Sequence, residues 1–280
     1  MLKNKKAVIT GGGRGIGKSI AQHFLLEEAE VLLVARTLAE LEKTRDELTP
    51  LGHVEILSAD VSVEDDVEKI SARVLNLWGG VDILVNVAAI QGPIGHITDV
   101  NIVEWRKVIE VNLIGTFLMI RALVPFMKEL GKGKIVNFAG GGEGPYTNFS
   151  AYVASKGGIV RLTETVAAEL KDFNIDINAI APGAVNTQML REVLEAGPVN
   201  VGRDTYEKCL KQKETGGISP DKAAELVVFL SSEASNGLTG KVISAIWDDY
   251  HNFPQHLKEI MGTDIYSWRR IKPNDRGYEW

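Results

Sequence analysis

Thr10-Gly11-Gly12-Gly13-Arg14-Gly15-Ile16-Gly17 follows the apolar run Ala7-Val8-Ile9 and opens a stretch of helical periodicity. Glycines between a strand and a helix let the backbone turn tightly and approach a pyrophosphate. The first helical turn adds unpaired N–H groups and a positive dipole end. In that context the spacing Gly11-x-x-x-Gly15-x-Gly17 predicts a nicotinamide-dinucleotide site, with Gly13, Arg14 and Ile16 in the same loop. A plain strand-to-helix turn is the alternative reading.

Working outward, short β-type runs alternate with longer helical patterns, as in βαβ units feeding a parallel sheet. The strands expected are Ala7 to Thr10, Val31 to Ala35, Val54 to Ser58, Ile83 to Val87, Lys134 to Phe138, Ile175 to Ile180 and Lys241 to Ala245. Most are continuous apolar runs, which suits a sheet covered by helices on both faces. Apolar residues at three- and four-residue spacing predict helices over Leu38 to Leu48, Asp65 to Trp78, Val103 to Leu130, Ala151 to Asp172 and Pro220 to Ser231. Ser62, ahead of Glu64 and Asp65, is expected to cap the second of these. The fold expected is α/β: a Rossmann-type, doubly wound, seven-stranded parallel sheet forming one domain over 1–246. Residues 247–280 form a C-terminal extension carrying Trp247, Tyr250, Phe253, Tyr266, Trp268, Tyr278 and Trp280.

Composition narrows the function. With 31 Lys+Arg against 37 Asp+Glu the net charge is -6, and no basic run marks a nucleic-acid footprint. No stretch reads as a signal peptide or as long enough to span a bilayer, so a cytoplasmic protein without a membrane partner is expected. The single Cys209 excludes an internal disulfide, and the five histidines show no metal-ligand spacing, so no metal is expected.

At the end of the second strand, where NAD-binding proteins of this fold carry an acidic residue, the chain reads Val34-Ala35-Arg36-Thr37. Arg36 and Arg14 suit a 2′-phosphate, which favours NADP(H) over NAD(H); two ordinary surface charges are the alternative. Asp60, followed by Val61, is a candidate partner for the adenine amino group. Further on, Tyr152-Val-Ala-Ser-Lys156 places a phenol and an ammonium on one helix face. A cation beside a phenol favours the phenolate and fits the tyrosine for acid–base work nearer neutrality. Alone, that pair more readily describes packing plus a solvated charge.

Together these motifs resemble the short-chain dehydrogenase/reductase family over roughly residues 3 to 246. The resemblance rests on the glycine loop, Asp60-Val61, Asn86-Val-Ala88-Ala89, Asn112, Tyr152-x-x-x-Lys156 and Pro182-Gly183 with Val185 and Thr187. It implies hydride transfer between nicotinamide C4 and an alcohol or carbonyl carbon. Tyr152 would exchange the proton, Lys156 would hold the nicotinamide ribose, and Asn112 would position a relaying water. Pro182 to Thr187 would bind the carboxamide, and Asn86 and Ala88 would lie near the adenosine. Dimers or tetramers through the long helices and the last strand are also implied.

Two departures stand out. Val87 and Ala89 occupy positions where the family usually has asparagine and glycine. Thirteen residues before Tyr152, where the family places a substrate-binding serine, stands Ala139, flanked by Phe138 and Gly140. Losing one hydrogen bond to developing charge typically costs about a hundred- to a thousandfold in rate. Thr147, Ser150 or a backbone N–H of the glycine run are candidate substitutes. A protein that binds NADP(H) with impaired or lost catalysis is the second reading. Gly140 to Gly142, Glu143 and Tyr146 suggest room and polarity for a small, sugar-like substrate. Met189, Leu190, Val193, Leu194, Tyr206 and Leu210 fall in the lid region, where packing onto the sheet is expected for most. The aromatic extension is expected to pack on the body or, preferably, a neighbouring subunit.

Overall fold

The computed structural model describes residues 1–140 and 146–280. Seven strands form one parallel sheet, β1 (Lys6–Thr10), β2 (Glu30–Ala35), β3 (Val54–Ser58), β4 (Ile83–Asn86), β5 (Gly133–Phe138), β6 (Ile175–Ala181) and β7 (Val242–Ser244), in the order β3-β2-β1-β4-β5-β6-β7. The order reverses between β1 and β4, and ligands of such sheets bind outside the carboxyl ends of the strands at that switch point. β4 is buried throughout and β2 over its four central residues, as their apolar runs require.

One face is covered by α1 (Gly15–Leu26), α2 (Leu38–Leu48) and, later in the chain, α9 (Pro220–Ser231), burying Ile20, Phe24, Leu33, Leu226 and Leu230. On the other face lie α3 (Glu64–Trp78), α4 (Ile102–Ile109), α5 (Gly115–Leu130) and α6 (Ser150–Leu170); here Leu32, Leu84, Ile70, Leu118 and Leu123 are buried. After β6, α7 (Gln188–Val201) and α8 (Arg203–Thr215) build a small core of Phe149, Leu190, Val193, Val201 and Cys209. Leu194 and Tyr206 pack against this core, so the lid closes on Phe149 and not onto the sheet.

Three local expectations change. The predicted helix Val103 to Leu130 is interrupted by a wide π-turn over Glu110–Ile114, where Thr116 Oγ1 donates to the Asn112 carbonyl (2.8 Å). Such turns gather at functional sites. Ser62 does not cap α3: its hydroxyl donates to Asp60 Oδ1 (2.6 Å), and Val63 occupies the cap position without a side-chain bond. Finally, Ile102–Leu130 taken as one helix is long and apolar enough to cross a membrane by length and composition. More than half of its apolar window is nevertheless buried inside the domain.

Part of the C-terminal extension packs back on the domain. Tyr250 and Phe253 join the first core. After α10 (Leu257–Gly262), the Tyr266 carbonyl accepts from Val242 N (2.8 Å) along the open side of β7. The buried Lys241 ammonium donates to the carbonyls of Thr263 (3.0 Å) and Ile265 (2.8 Å) and to Ser267 Oγ (3.3 Å), fastening the segment. Trp268 N then donates to Glu164 Oε1 (3.1 Å) on α6.

Candidate active site

At the carboxyl end of the sheet lies an open cavity of about 930 Å³. The glycine loop forms one wall. A Cβ at Gly17 would lie 2.2 Å from the Gly11 carbonyl oxygen, and one at Gly11 would meet the Ala88 backbone at 3.0 Å. Gly11 (φ 67°) and Gly15 (φ 54°) adopt the left-handed conformation that side chains disfavour. The result is backbone without side chains at the start of a twelve-residue helix, a cradle suited to the diphosphate of a dinucleotide.

Gly13, Arg14, Ile16, Arg36, Thr37, Asp60, Val61 and Ala88 also line this cavity, as do Pro182, Gly183, Val185 and Thr187 from beyond β6. Asn86 does not: it points behind the site, donating through Nδ2 to Asn137 Oδ1 (2.9 Å), and Asn137 donates in turn to Thr163. The two arginines already have partners. Arg14 Nη1 lies 2.8 Å from Glu40 Oε1 and Arg36 Nη1 4.0 Å from Asp60 Oδ2, both at exposed positions where such pairs are weak. Burial works to raise the Asp60 pKa. Hydrogen bonds from Ser62 and the charges of Lys107 and Arg36 outweigh it, so the carboxyl titrates below its ordinary value.

The reacting end is built by β5, α6 and the π-turn. Tyr152 and Lys156 both face the cavity, with Lys156 Nζ 5.5 Å from the phenol ring centroid. The ammonium donates to the Phe138 carbonyl (2.7 Å). Burial, reinforced by Tyr146, pushes the Tyr152 pKa up to about 12, and burial brings Lys156 down to about 8. This is the reverse of the expected direction for the phenol, because loss of water dominates. Tyr152 therefore holds its proton near neutral pH.

Asn112, wholly buried in the π-turn, clamps the chain after β4: its Oδ1 accepts from Ile90 N (2.8 Å), and its Nδ2 donates to Ile90 O (3.0 Å) and to Ser155 Oγ (3.0 Å). Its side chain is committed to positioning, while its carbonyl accepts from Thr116. Ala139 lies at the end of β5 in the cavity wall, its N–H bonded to Ile180 O (2.9 Å) and its methyl unable to hydrogen-bond.

A family model for short chain dehydrogenase matches residues 5–197. The chain belongs to the short-chain dehydrogenase/reductase family. Dehydrogenase/reductase SDR family member 4 of Sus scrofa is 33% identical over 245 residues, covering 86% of each chain. Among solved structures, levodione reductase superposes with a TM-score of 0.80 at 31% identity, covering 87% of this chain and 96% of its own. A NAD⁺-bound xylitol dehydrogenase superposes with a TM-score of 0.80 at 28% identity, over 87% and 98%. The protein is thus an NAD(P)-dependent oxidoreductase acting on CH–OH or C=O groups.

Of the lid residues named from the sequence, Met189, Leu190 and Val193 reach the cavity from α7, whereas Leu210 is exposed. Other cavity residues escape motif reading. Trp268, from the extension, packs beside Ala139, Ile159 and Val160 and lines the same space, as does the exposed Trp247. Neither has a local signal, because the chain returns to the site from more than a hundred residues away. Gln91 lines the cavity as well, one residue after the clamped Ile90. Among the candidate substitutes for the missing serine, Ser150 Oγ accepts from Trp105 Nε1 (3.1 Å) and Thr147 does not line the cavity. Gly141, Gly142 and Glu143, expected to shape the substrate space, lie outside the described residues. No group of three or more potential metal ligands occurs among the described residues.

Proposed function

We propose that this enzyme is an NADP(H)-dependent reductase of a small polar ketone, or dehydrogenase of the corresponding secondary alcohol. The observation that carries the proposal is the meeting of the glycine cradle, Arg36 and the Tyr152–Lys156 pair in one cavity. The cradle of Gly11, Gly15 and Gly17 holds the diphosphate, Arg14 and Arg36 take the 2′-phosphate, and Thr37 stands beside them at the start of α2. Pro182, Gly183, Val185 and Thr187 hold the carboxamide end, with Lys156 on the ribose. When bound, the nicotinamide supplies or accepts the hydride. Tyr152, protonated near neutrality, donates its proton to the carbonyl oxygen, and Lys156 leads to its replacement from solvent, while Asn112 holds the segments around them in place. The polar reach of Tyr146 and Gln212 into the cavity supports a sugar- or polyol-like substrate.

Ile114 and Phe117 are exposed on one side of the π-turn and α5, which supports assembly into a homodimer or homotetramer through these helices. A second reading follows from Ala139: a protein that keeps cofactor affinity but has little turnover.

NADPH oxidation measured across a panel of carbonyls, for the native chain and for Ala139→Ser, tests the proposal. Turnover of small hydroxylated ketones by the native chain supports it. No turnover in the native chain, with a large gain in Ala139→Ser, favours the second reading. Tighter binding of NADH than NADPH overturns the cofactor assignment, and turnover confined to long acyl or steroid carbonyls overturns the substrate class.

A further inference from the structure

Gln91 lies between β4 and α4 and shares the cavity wall with Ala139, Tyr152 and Lys156. It is only 6% exposed, and its Nε2 has no hydrogen-bond partner among the described residues. Buried polar groups in native proteins are nearly always satisfied, so one left over beside a reaction centre demands a reason. The backbone that presents it is fixed from both sides. Ile90 is held at both its N–H and its carbonyl by the Asn112 side chain, at 2.8 and 3.0 Å. Gly92 adopts φ 74°, and a Cβ there would lie 2.0 Å from Val108 Cγ2. The backbone is thus held in one geometry, while the amide nitrogen it presents makes no hydrogen bond among the described residues.

Across the same cavity, the methyl of Ala139 leaves the reacting oxygen of a substrate one donor short. We propose that the Gln91 carboxamide donates the hydrogen bond to the substrate's reacting oxygen that Ala139 cannot provide. Rotation about the terminal torsion of Gln91 exchanges its nitrogen and oxygen ends, and it breaks no hydrogen bond among the described residues, so the NH₂ end turns readily toward the cavity. A neutral amide aimed where negative charge develops is the type of donor that stabilises an alkoxide-like transition state. Gln91 transfers nothing itself: the proton still comes from Tyr152 and the hydride from the reduced nicotinamide. Asn112 then acts on the reaction as a positioning residue, through Ile90.

The inference rests on the proposed carbonyl-reducing function, and a double-mutant cycle separates the two. The native chain, Gln91→Met, Ala139→Ser and the double variant are assayed for NADPH oxidation, together with NADPH binding by fluorescence and thermal unfolding. Methionine keeps the volume and removes the donor. Gln91→Met is expected to lose about a hundredfold in kcat/KM with NADPH affinity unchanged. Ala139→Ser should add little to the native chain yet recover at least about tenfold in the Gln91→Met background. Activity of Gln91→Met within about threefold of native, or an equal gain from serine in both backgrounds, overturns the role of Gln91 while leaving the function standing. Absence of turnover in the native chain overturns both. Should Gln91→Met fail to fold, Gln91→Leu, which also lacks a donor and carries no charge, has the same expectation.

Discussion

Replacing Lys156 by methionine should make the protein more stable near neutral pH while abolishing turnover. Lys156 is 3% exposed, and burial lowers its pKa from the ordinary 10.5 to about 8. That gap corresponds to about 3 kcal/mol of cost for holding the charge inside the fold. Below about pH 8 folded and unfolded chains both carry the proton, and the folded state bears the full cost. Between about 8 and 10.5 the unfolded chain binds more protons than the folded one, so stability rises with pH; above that window the cost has gone. Methionine removes the charge but also the 2.7 Å hydrogen bond to the Phe138 carbonyl, a loss of about 1 kcal/mol. The net expectation is a gain of about 2 kcal/mol near pH 7, falling to nothing or to a small loss near pH 10. Urea unfolding of both proteins at several pH values in this range, with linear extrapolation and a check that the slope is unchanged, measures it. No gain near pH 7, or a gain that persists undiminished near pH 10, refutes the reasoning. A side chain that costs stability at working pH is what a site retained for chemistry should contain.

Gly17→Ala places a Cβ 2.2 Å from the Gly11 carbonyl; overpacking of this kind costs about 1–3 kcal/mol, so a lower unfolding temperature and loss of measurable NADPH binding are expected together. Arg36→Glu should weaken NADPH about ten- to a hundredfold and leave NADH nearly unchanged, by fluorescence titration of both. Lys241→Met removes three hydrogen bonds to residues 263–267, so limited proteolysis should clip the chain after α10 with the sheet domain intact; equal resistance in both proteins contradicts the latch. Phe117→Glu charges an exposed apolar position on α5, and light scattering should report a smaller assembly than the native one.

The sheet was legible because its central strands, buried on both faces, read as apolar runs, and even the partly buried edge strand β3 begins and ends where its residues alone place it. The glycine loop was equally plain as a local spacing, whereas the Tyr152–Lys156 pair took on meaning only beside the other motifs. What escaped was set by distance or by competition. Ser62 had a second acceptor in Asp60 and left α3 uncapped. The π-turn at Asn112 needed both Ile90 and Thr116, one of them from another segment of the chain. Trp268 reaches the cavity and the cluster that holds Ala139 only through the folding back of the extension. The Tyr152 phenol is governed by burial, which no spacing of charges reveals.

The Lys241 latch also bears on how the chain avoids assembling wrongly. β7 would otherwise end the sheet with unpaired backbone groups, the template on which sheets add foreign strands. Here Tyr266 takes the Val242 N–H, and the same few residues carry Trp268 into the reaction cavity. Protection against edge-to-edge aggregation and completion of the cavity wall therefore depend on the same short segment, so a change that frees it from β7 should expose the sheet edge and open the site together.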